Sequence, residues 1–180
     1  MRNVVYAINM TLDGCVDHTK FMPDEDTFGY FTQLTRDADT FLYGRKTYQL
    51  MVPYWPDAAK DDPSDEFAQA FDAVEKIVVF SRSLDSAEDE KTRIVHTGLK
   101  DEVLKLKQQP GKNIFTGGVN LAAQLAALGL IDEYHFVVVP IIVGEGRRLF
   151  EGINLPEKLK LKLVESKVFK SGAVVLKYVK

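Results

Sequence analysis

The chain is sparing with the residues that staple small domains or hold metals. It has one cysteine, Cys15, so no internal disulfide can form, and a reducing, cytoplasmic setting is expected. Its histidines, His18, His96 and His135, lie far apart at no metal-ligand spacing, so no metal site is expected. No apolar run reaches the roughly 18–20 residues of a spanning helix. The opening MRNVVYAINM runs straight into Thr11 and Asp13, unlike a secretory leader. A basic excess is missing as well, since 23 Lys and Arg stand against 26 Asp and Glu, for a net charge of −3. Neither nucleic acid nor a membrane is the expected partner. A small phosphate ligand is not excluded, because a few placed cations and helix N–H groups can hold one.

What is present fits one domain of 180 residues. A chain of that size can bury about 70% of its unfolded surface and needs no staple. Apolar segments alternate with helical patterns. VVYAI (4–8) reads as a buried strand, and 11–23, with Asp13-Gly14 and Pro23, as a loop. Asp24, Glu25 and Asp26 complement the start of a helix carrying Phe28 and Phe31. TFLYG (40–44) is a second strand, Arg45–Met51 a helix, and the Pro- and Asp-rich stretch from Pro53 to Pro63 an exposed loop. Ser64 opens the next helix, with Phe67 and Phe71 on one face. Strands follow at 76–82 and 92–96, a short helix at 99–107, a fifth strand at 113–118 and a helix over Asn120–Leu128. EYHFVVVPIIV (133–143) is a long sixth strand. Strands at 159–169 and 173–178, joined by Lys170-Ser171-Gly172, close the chain as a hairpin. This alternation predicts a mostly parallel sheet with helices on both faces and antiparallel edge strands from the tail.

In such a sheet, ligands sit at the carboxyl ends of the strands. Gly44 allows a tight turn into a helix start flanked by Arg45, Lys46 and Thr47. Ser81 and Arg82 add a hydroxyl and a planar guanidinium suited to a phosphate monoester. Thr116-Gly117-Gly118-Val119-Asn120 lets backbone approach a ligand at another helix start. Phosphate-binding parts at neighbouring strand ends point to a nucleotide or dinucleotide. Neither G-x-G-x-x-G nor a P-loop is present. Asp13 is the acid of the first loop, suited to orient substrate, relay a proton or simply make an Asp-Gly turn. Glu145 stands in a Gly-Glu-Gly loop. Tyr48, Tyr54 and Trp55 offer either an aromatic wall or a loop anchor. Cys15 reads as a small filler, and His96 and His135 as residues of the sheet surface or an interface.

T-L-D-G (11–14), G-R-K-T-Y (44–48), V-V-F-S-R (78–82) and F-T-G-G-V-N-L (115–121) resemble the dihydrofolate-reductase-like superfamily. Together with L-x-x-L-G-L-I-D-E-Y (125–134) leading into V-V-P-I-I-V-G-E-G (138–146), they resemble its riboflavin-biosynthesis reductase branch, the RibD C-terminal domain, over essentially the whole chain. The resemblance implies a three-layer α/β/α fold, a homodimer and NADPH-dependent reduction of a heterocyclic pyrimidine- or pterin-like substrate. It implies that Arg45, Lys46 and Thr47 meet cofactor phosphates and that Ser81 and Arg82 meet the adenosine 2′-phosphate. Gly117, Gly118, Val119, Asn120 and Leu121 would hold the pyrophosphate. Ala7, Ile8 and the loop from Gly14 to Val16 would flank the nicotinamide.

The chain departs from both enzyme patterns. Where true dihydrofolate reductases place a carboxylate on the first helix, the spacing lands near Phe28. Where the riboflavin enzymes add basic residues, 17–37 offers His18, Lys20 and Arg36 against five acids. No H-x-E or P-C-x-x-C deaminase signature occurs in this chain. Dihydrofolate reduction, and nucleotide binding without catalysis, are the alternatives.

Overall fold

β1 (Val4–Thr11) is buried on both faces from Val4 to Ile8, as an apolar strand inside a sheet covered on both sides must be. The computed structural model describes residues 1–155 and 157–180. After β1 come α1 (Glu25–Arg36), β2 (Ala38–Gly44), α2 (Arg45–Met51), α3 (Trp55–Asp61), α4 (Glu66–Asp72), β3 (Lys76–Phe80) and β4 (Thr92–Val95). Then follow α5 (Leu99–Gln108), β5 (Asn113–Thr116), α6 (Asn120–Ala127), β6 (Glu133–Val139), β7 (Lys162–Val168) and β8 (Val174–Val179). The strands form one sheet in the order β4-β3-β2-β5-β1-β6-β8-β7. β4 to β6 are parallel, and β8 and β7 return antiparallel at one edge.

Val5, Ala7, Phe41, Tyr43, Val79 and Phe115 face one way and pack with Phe31, Leu34, Trp55, Phe67 and Phe71 of α1, α3 and α4. Val4, Tyr6, Leu42, Val78 and Ile114 face the other way, onto Val103 and Leu106 of α5 and Leu121 and Leu125 of α6. The result is three layers, α/β/α. Burying each such side chain contributes roughly 1.5–3 kcal/mol. No helix among the described residues is long and apolar enough to cross a membrane.

The structure corrects several sequence expectations. Residues 55–61 are helical, not loop, because Pro56 falls in the first turn, where no N–H is needed. α4 starts at Glu66, with Asp65 as cap: its carboxylate accepts the Ala68 N–H at 2.9 Å, while Ser64 is tied into the preceding turn by Asp62. β6 stops at Val139, since Pro140 has no N–H to continue the ladder. β1 runs on to Thr11 because β6 pairs with it that far. β7 is confined to 162–168.

Candidate functional site

β5 pairs with β1 only as far as Thr116, opposite Tyr6, and then turns away through Gly117 and Gly118. On its other side β1 stays paired with β6 up to Thr11. The Ile114 N–H donates to Asn3 and the Asp132 N–H to Val4. Odd-numbered residues of β1 therefore direct their peptide groups toward β5. Beyond Tyr6, Ala7 and Asn9 direct theirs into the gap that β5 vacates.

A cleft of about 1330 Å³ opens there, at the carboxyl ends of the strands, and extends between the sheet and α1. It collects Ala7, Ile8, Val16, Gly44, Arg45, Lys46, Thr47, Ser81, Arg82, Gly117, Gly118, Val119, Asn120 and Leu121. Gly14, Thr116 and Asp13, all expected at the site, are not among its lining residues. The Thr116 hydroxyl instead donates to the Leu42 carbonyl at 2.9 Å, buried between strands.

α2 and α6 begin on this cleft, and their N-caps, Gly44 and Val119, make no side-chain cap bond. Neither has an acid in its first turn, whereas α1, α3, α4 and α5 all do. The exposed N–H groups and positive helix ends are thus left for an anion from outside the chain. Gly44 has φ −82° and ψ 165°, so no tight turn demands glycine there, contrary to the sequence reading. Gly118 has φ 77°, and its carbonyl accepts the buried Tyr6 hydroxyl at 2.9 Å. The Ser81 Oγ accepts N–H groups from Ser83 and Leu84 at 3.2 and 3.0 Å, which leaves its own proton to donate outward.

The described lining residues include no Asp or Glu. Asp13 is turned aside. It accepts from the Thr11 hydroxyl at 2.6 Å and the Gly144 N–H at 2.9 Å, and lies 3.2 Å from Arg148. Those hydrogen bonds, Thr11 foremost, pull its pKa down to about 2. A carboxylate so held stays ionised at neutral pH and braces the first loop against 143–148. Glu145 pairs with Lys20 at 2.5 Å. Asp24 caps α1 through the Thr27 N–H at 2.7 Å, and Asp26 accepts from the Lys170 N–H at 3.2 Å.

The fold adds cleft residues that sequence reading missed. Arg147 arrives from the segment after β6 and donates to the Asn120 side chain. His96, expected on the sheet surface, lines the cleft beyond β4; its Nδ1–H donates to the Ser81 carbonyl at 2.8 Å. Asn9 lines the cleft with a buried Oδ1 that has no hydrogen-bond partner among the described residues. His135 is buried in β6 against the Tyr30 hydroxyl at 2.6 Å, away from the cleft. Cys15 is free and buried. Of the aromatic cluster, Tyr48 serves as an anchor, its hydroxyl donating to Asp89 at 3.1 Å, while Tyr54 and Trp55 wall the cleft with Phe67.

This sheet order and cleft define a protein of the dihydrofolate-reductase-like fold. The chain belongs to the RibD C-terminal domain family, whose model matches residues 2–175. It is 33% identical to the uncharacterized protein YyaP of Bacillus subtilis (strain 168), across 98% of this chain and 94% of YyaP. It is 30% identical to YwjB of the same organism, across 93% and 88%. Among solved structures it is similar to a candidate riboflavin biosynthesis protein from Shewanella sp. PV-4, with TM-score 0.75 and 21% identity over 99% of this chain and 98% of the other. A second is a diaminohydroxyphosphoribosylaminopyrimidine deaminase/5-amino-6-(5-phosphoribosylamino)uracil reductase from Thermotoga maritima. There the TM-score is 0.70 at 17% identity, over 99% of this chain and 56% of that one.

Proposed function

We propose that this chain is an NADPH-dependent reductase that passes a hydride to a heterocyclic, pyrimidine- or pterin-like ring. The observation that carries the reading is one acid-free cleft joining two uncapped helix starts, Arg45, Lys46 and Arg82 to an aromatic lobe. The parts fit a dinucleotide. Ser81 and Arg82 would hold the adenosine 2′-phosphate, Arg45, Lys46 and Thr47 the phosphates near α2, and residues 117–121 with Arg147 the pyrophosphate. The peptide groups of Ala7 and Asn9 suit a carboxamide edge in the gap beside β1. Bound NADPH would supply the hydride; the chain orients the rings and excludes water. No Asp or Glu is among the described lining residues, so the proton for the reduced ring would come from water or from His18, and Asp13 acts by bracing the loop. The reading extends to a homodimer in the reducing cytoplasm. It is supported by the free Cys15 and by the exposed edge strand β7, where Leu163, Val164 and Val168 are bare.

A binding titration tests it. Arg82→Ala is expected to weaken NADPH about tenfold or more while leaving NADH within about twofold, the loss of one charge-assisted phosphate contact. Equal losses for both nucleotides overturn the 2′-phosphate role.

A further inference from the structure

The cleft has a second end whose chemistry differs from the phosphate arm. Phe28, Leu50, Tyr54, Trp55 and Phe67 wall it, with edge-to-face contacts of 6.2 Å between Phe28 and Phe67, 4.6 Å between Trp55 and Phe67 and 4.9 Å between Tyr54 and Trp55. Much of this wall is bare: Leu50 is 51% exposed, Tyr54 60% and Met22, also lining the cleft, 85%. Apolar side chains of this size left open around one lobe mark a surface that a ligand covers.

Among the described lining residues this lobe has no lysine, arginine, aspartate or glutamate, and His18 of the first loop is its one side chain able to carry a charge. The lining cations Arg45, Lys46 and Arg82 stand at the ends of β2 and β3, and Arg147 is held by Asn120 at the start of α6. Lys20, on the nearby loop, is paired with Glu145 and does not line the cleft. No carboxylate is among the described lining residues either, so an amidine-like ring edge or a protonated ring finds no counter-charge. The polar handle is neutral: Asn9 Oδ1, buried and unpartnered among the described residues. An unmade hydrogen bond there leaves the oxygen desolvated, and a ligand N–H or O–H would satisfy it.

We infer that the aromatic lobe takes an uncharged, flat ring with one donor edge turned to Asn9 and no phosphate or carboxylate tail. This rests on the reductase reading for the ring's role as acceptor. It departs from the phosphoribosyl and carboxylate-bearing substrates that the riboflavin and folate resemblances would suggest.

Trp55 is the sole tryptophan and stands in the wall, so its fluorescence reports occupancy. The probes are lumiflavin, which is uncharged, flavin mononucleotide, which adds a ribityl phosphate tail to the same ring, and dihydrofolate, a pterin with a carboxylate-bearing tail. NADPH is titrated separately, with all signals corrected for absorbance. The expected result is quenching by lumiflavin, with a Kd about tenfold below those of flavin mononucleotide and dihydrofolate. Phe28→Asp and Leu50→Glu, both at partly exposed helix positions, should each weaken lumiflavin about tenfold while NADPH binding persists as the control for folding. Equal or tighter binding of either anionic probe, indifference to both substitutions, or no quenching by lumiflavin overturns the inference. NADPH binding without lumiflavin binding sinks this inference and spares the reductase reading. Lumiflavin binding without NADPH binding does the reverse.

Discussion

Replacing each member of the Gly117-Gly118 pair by alanine should separate a fold requirement from a ligand requirement. Gly118 sits at φ 77°, and a Cβ there would overlap the Thr47 hydroxyl. Left-handed backbone costs an alanine about 1–2 kcal/mol. Displacing Thr47 from the packed turn adds about 1 kcal/mol more. For a domain of this size the sum lowers the melting temperature by roughly 4–12 °C. Gly117 lies outside the left-handed region, and its added Cβ would stand 3.8 Å from the Ala7 carbonyl, an ordinary contact. Its replacement removes unfolded-chain entropy worth about 0.4–1 kcal/mol in the folded state's favour. That Cβ, however, enters the cleft beside Ala7. Gly117→Ala should therefore melt at or up to about 4 °C above the parent, and yet bind NADPH about tenfold more weakly. Gly118→Ala should lose stability first. Differential scanning calorimetry with and without NADPH reads both effects. Equal melting temperatures for the two variants would refute the reasoning.

Two further outcomes follow from charge placement. Hydrogen bonds hold Asp13 near a pKa of about 2, and those from His135 and then Lys177 do the same for Glu133. Lowered carboxylate pKa values stabilise the fold above about pH 4 and lose that contribution as pH falls toward 2. The melting temperature should therefore be flat above about pH 5 and fall below it. Asp13→Asn should flatten part of that acid limb; an unchanged limb counts against the bracing role. Asp132 accepts from the Val4 N–H at 2.7 Å and from buried Lys107 at 2.6 Å. Asp132→Ala strands that ammonium and should cost about 2–4 kcal/mol by urea unfolding, toward the low end for a broken buried pair because Asp132 is partly open to solvent. A loss under about 1 kcal/mol would show the pair to be solvated.

The sheet was legible because most of its strands are apolar, short and punctuated, and the cleft was legible because Gly44–Thr47, Ser81–Arg82 and Gly117–Leu121 all follow strand ends. The misses have physical causes. Proline and aspartate around 53–63 read as loop, but first-turn Pro56 and Asp57 favour a helix start. Asp13, Gly14 and Thr116 adjoin cleft residues in the chain without lining the cleft. Thr116 packs between strands, and the Asp13 carboxylate is drawn away by Thr11 and Gly144. Arg147 belongs to a stretch with no periodicity, and only the folded path sets it beside Asn120. His96 looked like a strand residue, but β4 ends at Val95 and frees it to turn onto Ser81. For Asn9 a signal did exist, a polar amide at an inward position of an apolar strand.

Gly44 gives the sharpest test of why the acids avoid the cleft. The chain has 26 acids. They cap α1 and α4, as Asp24 and Asp65 do, and they pair with buried cations, as Asp39 does with Arg2. Gly44 occupies the cap position of α2 with extended backbone that aspartate adopts freely, and its added Cβ would meet only Leu121 Cβ at 3.8 Å. Capping preference then predicts that Gly44→Asp stabilises the fold by a few tenths of a kcal/mol, up to about 1 kcal/mol with the helix dipole. The same carboxylate would occupy the N–H groups assigned to phosphate and repel it. The expected variant melts at or slightly above the parent temperature and binds NADPH more than about tenfold more weakly. If it binds NADPH as the parent does, the start of α2 is an ordinary uncapped helix end, and the acid-free lining loses its meaning as a phosphate site.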